Sequence, residues 1–280
     1  MKNITLFSLR LFLLFSIFLL ISCDTAVRSE ICVSIQPQAY LVNRIAGEDM
    51  KVTVMIPPGS APPTYAPTAS QIRDLHQSKL YVKIGHPDFL FEKKHIDPFL
   101  DNNPRVLKVN MSDSLDILPG DAHIWLSPTI MLIASERIYK AFLALYPENK
   151  QLYTERYEAL KHDILELDTE LRNMLDGARG SEFLTMHPAW TYFARDYGIK
   201  QVSVHDENKA LSVQKLAALI EYAKEKDLKV IFIQKEFAFE QVDLLSREIG
   251  ANIVALDPLS ADWLENLRYT GQILSKAFNE

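Results

Sequence analysis

Three apolar runs in this 280-residue chain each stop at a potential metal ligand. They are Asp121-Ala122-His123-Ile124-Trp125-Leu126, Phe183-Leu184-Thr185-Met186-His187-Pro188 and Ile253-Val254-Ala255-Leu256-Asp257-Pro258-Leu259. Imidazole nitrogen and carboxylate oxygen together suit a borderline divalent cation such as zinc, and a closed zinc site takes four protein ligands. The three residues are far apart in sequence, so only the fold can assemble them, and the chain should supply a fourth. Each has a plainer use: a lone histidine packs or stays at the surface, and an aspartate before proline forms turns or caps.

Stepping outward from these residues, short β-branched runs alternate with helical patterns. Strands are expected over 31–35, 52–56, 80–84 and 105–109, with helices over 38–46 and 68–77 between them. After Pro128 two helical stretches follow, 129–146 and about 150–175. The second carries Leu152, Tyr153, Tyr157, Leu160, Ile164, Leu167, Leu171 and Leu175 at three-and-four spacing, one apolar stripe. At 1.5 Å per residue it would span nearly 40 Å. Strands over 183–186, 201–204, 230–233 and 253–256 then alternate with helices over 189–197, 213–226 and 241–249, and a last helix closes the chain. The expected fold class is α/β: two lobes, each a parallel-type sheet flanked by helices, joined by one long bridging helix. The divisions are 1–22, a signal segment of lipoprotein type; 23–146, an N-terminal metal-binding lobe; 147–178, the bridging helix; and 179–280, a C-terminal metal-binding lobe. Ligands in parallel α/β sheets bind outside the carboxyl ends of strands. His187 and Asp257 stand immediately after strands, and His123 lies in the loop before the 129–146 helix.

The first 22 residues carry Lys2 and Arg10 at the start, an apolar run from Leu11 to Ile21, then Ser22-Cys23. That run is short for a membrane span and fits a secretory h-region. Leu20-Ile21-Ser22-Cys23 resembles a bacterial lipobox, which implies cleavage before Cys23 and lipid on its sulfur. Loss of Lys2 and Arg10 moves the net charge from −6 to about −8. Such an acidic body argues against nucleic acid and mildly favours cation capture. Cys23 and Cys32 are the two cysteines; a lipidated Cys23 leaves no disulfide, and Cys32 sits in an apolar run as a buried thiol.

Further stretches surround the candidate ligands: Val54-Met55-Ile56-Pro57-Pro58-Gly59, Tyr65-Ala66-Pro67-Thr68, Ser127-Pro128 after the His123 run, Pro188-Ala189 after His187, Tyr192-Phe193-Ala194-Arg195-Asp196-Tyr197-Gly198, and Arg268-Tyr269. As a set they resemble the periplasmic zinc- and manganese-binding lipoproteins of bacterial ABC importers, the ZnuA/TroA-like (cluster A-I) solute-binding family, over roughly residues 31–278. The resemblance implies that His123, His187 and Asp257 are ligands. The family's first histidine has no counterpart: Pro63 stands in its place within Pro62-Pro63-Thr64-Tyr65-Ala66-Pro67, Ala66 replaces a glutamate, and Gln234 stands where the family often has glutamate. Proline offers no side-chain donor. The family's His/Asp/Glu-rich loop is absent, leaving only residues 115–121.

Either another residue substitutes for the missing histidine or the site has three protein ligands with water or a carboxylate. His86, after the 80–84 strand and Gly85, is the expected substitute, since neighbouring strand ends lie about 5 Å apart; its plainer role is capping before Pro87-Asp88. His205 is a lesser candidate, and His76, His95 and His162 read as exposed helix residues. The family's manganese binders tend to carry glutamate where His187 stands, so Zn2+ is expected, with Mn2+ as the alternative. The implied function is metal capture outside the membrane and delivery to ABC permease and ATPase subunits, by a monomer anchored by lipid in the cell envelope, on the periplasmic side or outer face of the cytoplasmic membrane. No His-Glu-x-x-His or Gly-x-Ser-x-Gly pattern points to an enzyme. The remaining alternative is a paralogue with a degenerate site and an adhesion-type role.

Overall fold

The computed structural model describes residues 30–47, 50–203, 213–234 and 240–279. Its N-terminal half runs β1 (Ile31–Val33), α1 (Gln36–Ala46), β2 (Val52–Val54), α2 (Ala69–Gln77), β3 (Leu80–Lys83), a π-helical turn Glu92–Ile96 leading into α3 (Asp97–Asp101), and β4 (Leu107–Asn110). Two helices follow, α4 (Pro128–Leu145) and α5 (Lys150–Leu175). The second half runs β5 (Glu182–Thr185), α6 (Thr191–Tyr197), β6 (Lys200–Ser203), α7 (Val213–Glu225), β7 (Val230–Ile233), α8 (Glu240–Ile249), β8 (Asn252–Ala255) and α9 (Trp263–Asn279). The two parallel sheets have matching order, β2-β1-β3-β4 and β6-β5-β7-β8. In each, the order reverses beside the first strand, creating the crevice where parallel sheets bind ligands.

The central strands are apolar on both faces because helices cover both: Ile31, Cys32, Val33, Leu80, Tyr81 and Val82 are fully buried. On α5, Tyr153, Tyr157, Leu160, Ile164, Leu167, Leu171 and Leu175 form the buried stripe, whereas Leu152 faces solvent. Gly271 lets α9 lie against α5: a Cβ there would stand 2.3 Å from Leu171 Cδ2. The π-helical turn and α3 lie where the sequence shows no apolar period. Glu-Lys-Lys-His-Ile is mostly charged, and two buried residues, Glu92 and Ile96, seat it.

One continuous core runs from the N-terminal sheet through α4 and α5 to Phe183, Trp190 and Leu267 of the second lobe; Leu184, Met186, Ile231 and Leu245 form a separate cluster on the far side of the second sheet. The lobes are joined by hydrogen bonds as well. The Trp125 indole N–H donates to the Pro258 carbonyl at 2.7 Å, and the Trp263 indole N–H donates to the Trp125 carbonyl at 2.7 Å. Both rings are 1% exposed, so these bonds form out of water, where an unmade partner is costly. Trp263→Phe, which deletes the N–H and leaves a small void, is expected to destabilise by about 2–4 kcal/mol. Calorimetry should show this as a Tm lower by roughly 5–15 °C.

Candidate functional site

His123 lies at the start of a single 3-10 turn, Ile124–Leu126, whose side chains are all buried. Ser127 then caps α4, accepting from Ile130 N–H at 3.2 Å, and its hydroxyl donates to Asp196 of the second lobe. The imidazole is oriented by Asp121. One oxygen, Oδ1, accepts both the His123 main-chain N–H at 2.8 Å and ring Nδ1–H at 2.6 Å. Burial pushes the Asp121 carboxyl up, but the His123 ring and amide outweigh that and hold it below its ordinary range. With the proton on Nδ1, the Nε2 lone pair is the one presented outward, the tautomer of a metal-binding histidine backed by a carboxylate.

What Nε2 meets is His187 Nε2, 3.2 Å away, the rings crossing edge to face with centroids 5.0 Å apart. His187 follows β5, and its carbonyl accepts from Ala189 N–H and Thr185 Oγ1–H, both at 2.8 Å, which makes the turn rigid. Two nitrogens on one tetrahedral zinc, each about 2.0–2.1 Å from the ion, stand roughly 3.3 Å apart. The pair therefore already holds the spacing of two ligands of one ion.

Asp257 follows β8 in an Asx turn: its Oδ1 accepts from Leu259 N–H and its carbonyl from Asn266 Nδ2–H, each at 2.8 Å. The next residue, Pro258, receives the Trp125 indole. The Asp257 loop is thereby tied to the turn that carries His123.

His86, the expected substitute ligand, has main-chain partners at both ring nitrogens. The ring is 3% exposed. Its Nδ1 accepts from Asp88 N–H at 3.1 Å, so the proton sits on Nε2, which donates to the Leu118 carbonyl at 3.2 Å. Gly85, just before it, has φ +74°, and a Cβ there would collide with the Asn110 side chain at 1.7 Å, so only glycine fits. Among the described residues, no group of three or more His, Cys, Asp or Glu side chains is gathered so as to hold a metal ion. Pro63 and Ala66 are exposed in a loop braced by Gln71, whose side chain joins Tyr65 Oη–H, Thr68 N–H and the Met55 carbonyl. Gln234 is buried beyond β7; His76 and His162 are exposed and His95 half-buried; His205 and Cys23 lie outside the described residues.

Sequence reasoning assigned no role to Asp121 or Glu92. For Asp121 a signal existed, an acidic residue two positions before a histidine; for Glu92 there was none. Glu92 is fully buried beneath the His86 turn and accepts from Ile84 N–H at 2.7 Å, Gly85 N–H at 2.8 Å and the Ser34 hydroxyl, which also pairs with Tyr81 Oη.

A family model described as zinc-uptake complex component A, periplasmic (ZnuA), matches residues 31–277. The zinc-binding lipoprotein AdcA of Streptococcus pneumoniae is 25% identical over 286 residues, covering 93% of this chain, which spans only 56% of that protein's length. A putative metal-binding protein of Chlamydia trachomatis is 27% identical, covering 87% of this chain and 90% of its own length. Among solved structures, a crystal structure of ZnuA superposes with a TM-score of 0.82 at 33% identity, covering 88% of this chain and 98% of that one.

Burial pushes the Glu92 carboxyl up to about 7, against the pull of the Ser34 hydroxyl and the Gly85 and Ile84 amides. The folded state then holds this proton more tightly than the unfolded chain does. The resulting stability is fully present below about pH 4.5 and lost as pH rises to about 7, amounting to roughly 3 kcal/mol. Glu92→Gln should remove that slope from denaturant midpoints measured between pH 4.5 and 8.

Proposed function

The chain belongs to the zinc-uptake complex component A (ZnuA) family, and on that premise we propose that it is a solute-binding protein that captures Zn2+ between its lobes and passes it to an ABC importer. The observation that carries the reading is the His123–His187 pair, two Nε2 atoms 3.2 Å apart at the meeting of the lobes. With one proton shared between them, the pair is a placeholder for a cation that would bind both lone pairs. Asp257 supplies the carboxylate, offsetting part of the ion's charge, and the fourth position goes to water, with His86 entering only if it releases Leu118. Two imidazoles and one carboxylate favour zinc over manganese, which prefers harder oxygen donors. Delivery to permease and ATPase subunits, anchoring through a lipidated Cys23 on the outer side of the cytoplasmic membrane, and action as a monomer complete the proposal. Family membership supports them, together with the lipoprotein-type signal expected over residues 1–22 before Cys23. The role is binding and release, not catalysis.

Zinc titration of the purified protein by calorimetry, with a chelator competitor, tests this. Wild type should bind one Zn2+ more tightly than Mn2+, and His123→Ala or His187→Ala should lose at least a hundredfold in affinity. Asp121→Ala should lose about 10–100-fold, because the tautomer of His123 is no longer fixed. Affinity should fall between about pH 7 and 5, since a bound imidazole must be neutral. A wild type that binds neither metal would sink the reading and favour the paralogue with a degenerate site, to which Pro63 points.

A further inference from the structure

One residue of the loop preceding the site, Leu118, is gripped through its main chain from both lobes. Leu118 N–H donates to Tyr192 Oη on α6 at 2.7 Å, while the Leu118 carbonyl accepts His86 Nε2–H from the N-terminal lobe at 3.2 Å. The same carbonyl takes Asp121 N–H at 3.3 Å, and the next turn is pinned by Gly120 N–H to the Asp88 carboxylate at 2.9 Å. The grip is built from the interior: Tyr192 is fully buried and His86 nearly so. The loop it holds is partly at the surface, with Pro119 and Gly120 exposed. A buried phenol and a buried imidazole converging on the main chain of one residue in a surface loop make sense if the position of that loop matters. The loop ends at Asp121, the residue that sets the tautomer and aim of His123.

We propose that Tyr192 and His86 are positioning residues for the metal site. Together they clamp Leu118 by its N–H and its carbonyl, which fixes Asp121 and, through it, the lone pair of His123 opposite His187. The proposal rests on His123 and His187 taking the cation, and it makes His86 a hydrogen-bond donor to the loop in place of a fourth ligand. It also accounts for the Gly85 backbone and the Glu92 carboxylate beneath: Glu92 holds the Ile84 and Gly85 amides, and these set the direction in which His86 leaves β3. Because each lobe contributes one bond, a shift of one lobe against the other must strain the loop, so lobe movement and the aim of His123 are coupled.

The test uses purified protein, Zn2+ with a chelator competitor, Co2+ as an optical probe, and amide hydrogen exchange. Tyr192→Phe deletes only the hydroxyl. It is expected to weaken zinc binding about tenfold and to speed exchange at Leu118, with little change in the Tm of the metal-free protein. His86→Ala should weaken binding similarly, whereas His86→Gln, which keeps an N–H for the Leu118 carbonyl but is a poor zinc ligand, should restore wild-type affinity and the wild-type cobalt band. Unchanged affinity and unchanged exchange in Tyr192→Phe would overturn the clamp. So would a His86→Gln variant as weak as His86→Ala with a shifted cobalt band, since that result makes His86 a ligand. If wild type binds no metal, the capture reading fails separately; exchange at Leu118 in metal-free Tyr192→Phe then decides whether the clamp exists.

Discussion

The two indole bonds at Trp125 organise this molecule. Its ring N–H reaches the Pro258 carbonyl of the second lobe, and its own carbonyl receives the Trp263 indole from the last helix. Both bonds are made away from water, where their loss leaves a desolvated polar group. They therefore act as fixed struts, unlike surface ion pairs such as Arg44–Asp163, which stands one-third exposed. Trp125 is two residues from His123, and Pro258 one residue from Asp257. The same struts that join the lobes also bring two of the three candidate ligands into one region.

The shared core gives the same result at larger scale. The apolar cluster crosses from the first sheet through α4 and α5 into the second lobe without a break. Lobes joined only by a linker move freely, whereas a large apolar interface restrains them. The 26-residue α5 lies along this interface as a stiff rod. The proposed capture by such a molecule would involve small displacements around the His123–His187 pair, which is already formed. In that proposal selectivity follows from donor type and spacing, with little contribution from a large closure.

Around the pair, the chemistry is layered. Asp121 sets the His123 imidazole, a turn holds the main chain of His187, and the loop leading to Asp121 is held by Tyr192 and His86. Further in, Glu92 stands fully buried with three donors around it, an ionisable group retained where an apolar side chain would have been simpler. It takes up the Ile84 and Gly85 amides at the end of β3 and the Ser34 hydroxyl after β1, so the carboxylate substitutes for the strand neighbours that those two amides lack.

Much of this was legible in the chain itself. The strand-helix alternation and the stripe on α5 follow from apolar periodicity, because burying one face is a local property of a segment. His187 and Asp257 were visible as strand-end residues of the right type and His123 as one in the loop before a helix, and the absence of a donor at Pro63 needs no structure. What the sequence could not express is which polar groups meet. The π-helical turn has no apolar period and is seated by Ile96 and by Glu92, which stands 58 residues from the Ser34 hydroxyl it receives. His86 has the composition of a ligand and follows a strand, yet both ring nitrogens are engaged by main-chain groups, one of them 32 residues away. A hydrogen bond is directional and satisfied within a few tenths of an ångström, so residue type and spacing determine what a side chain can donate, while only the packed tertiary structure decides to whom.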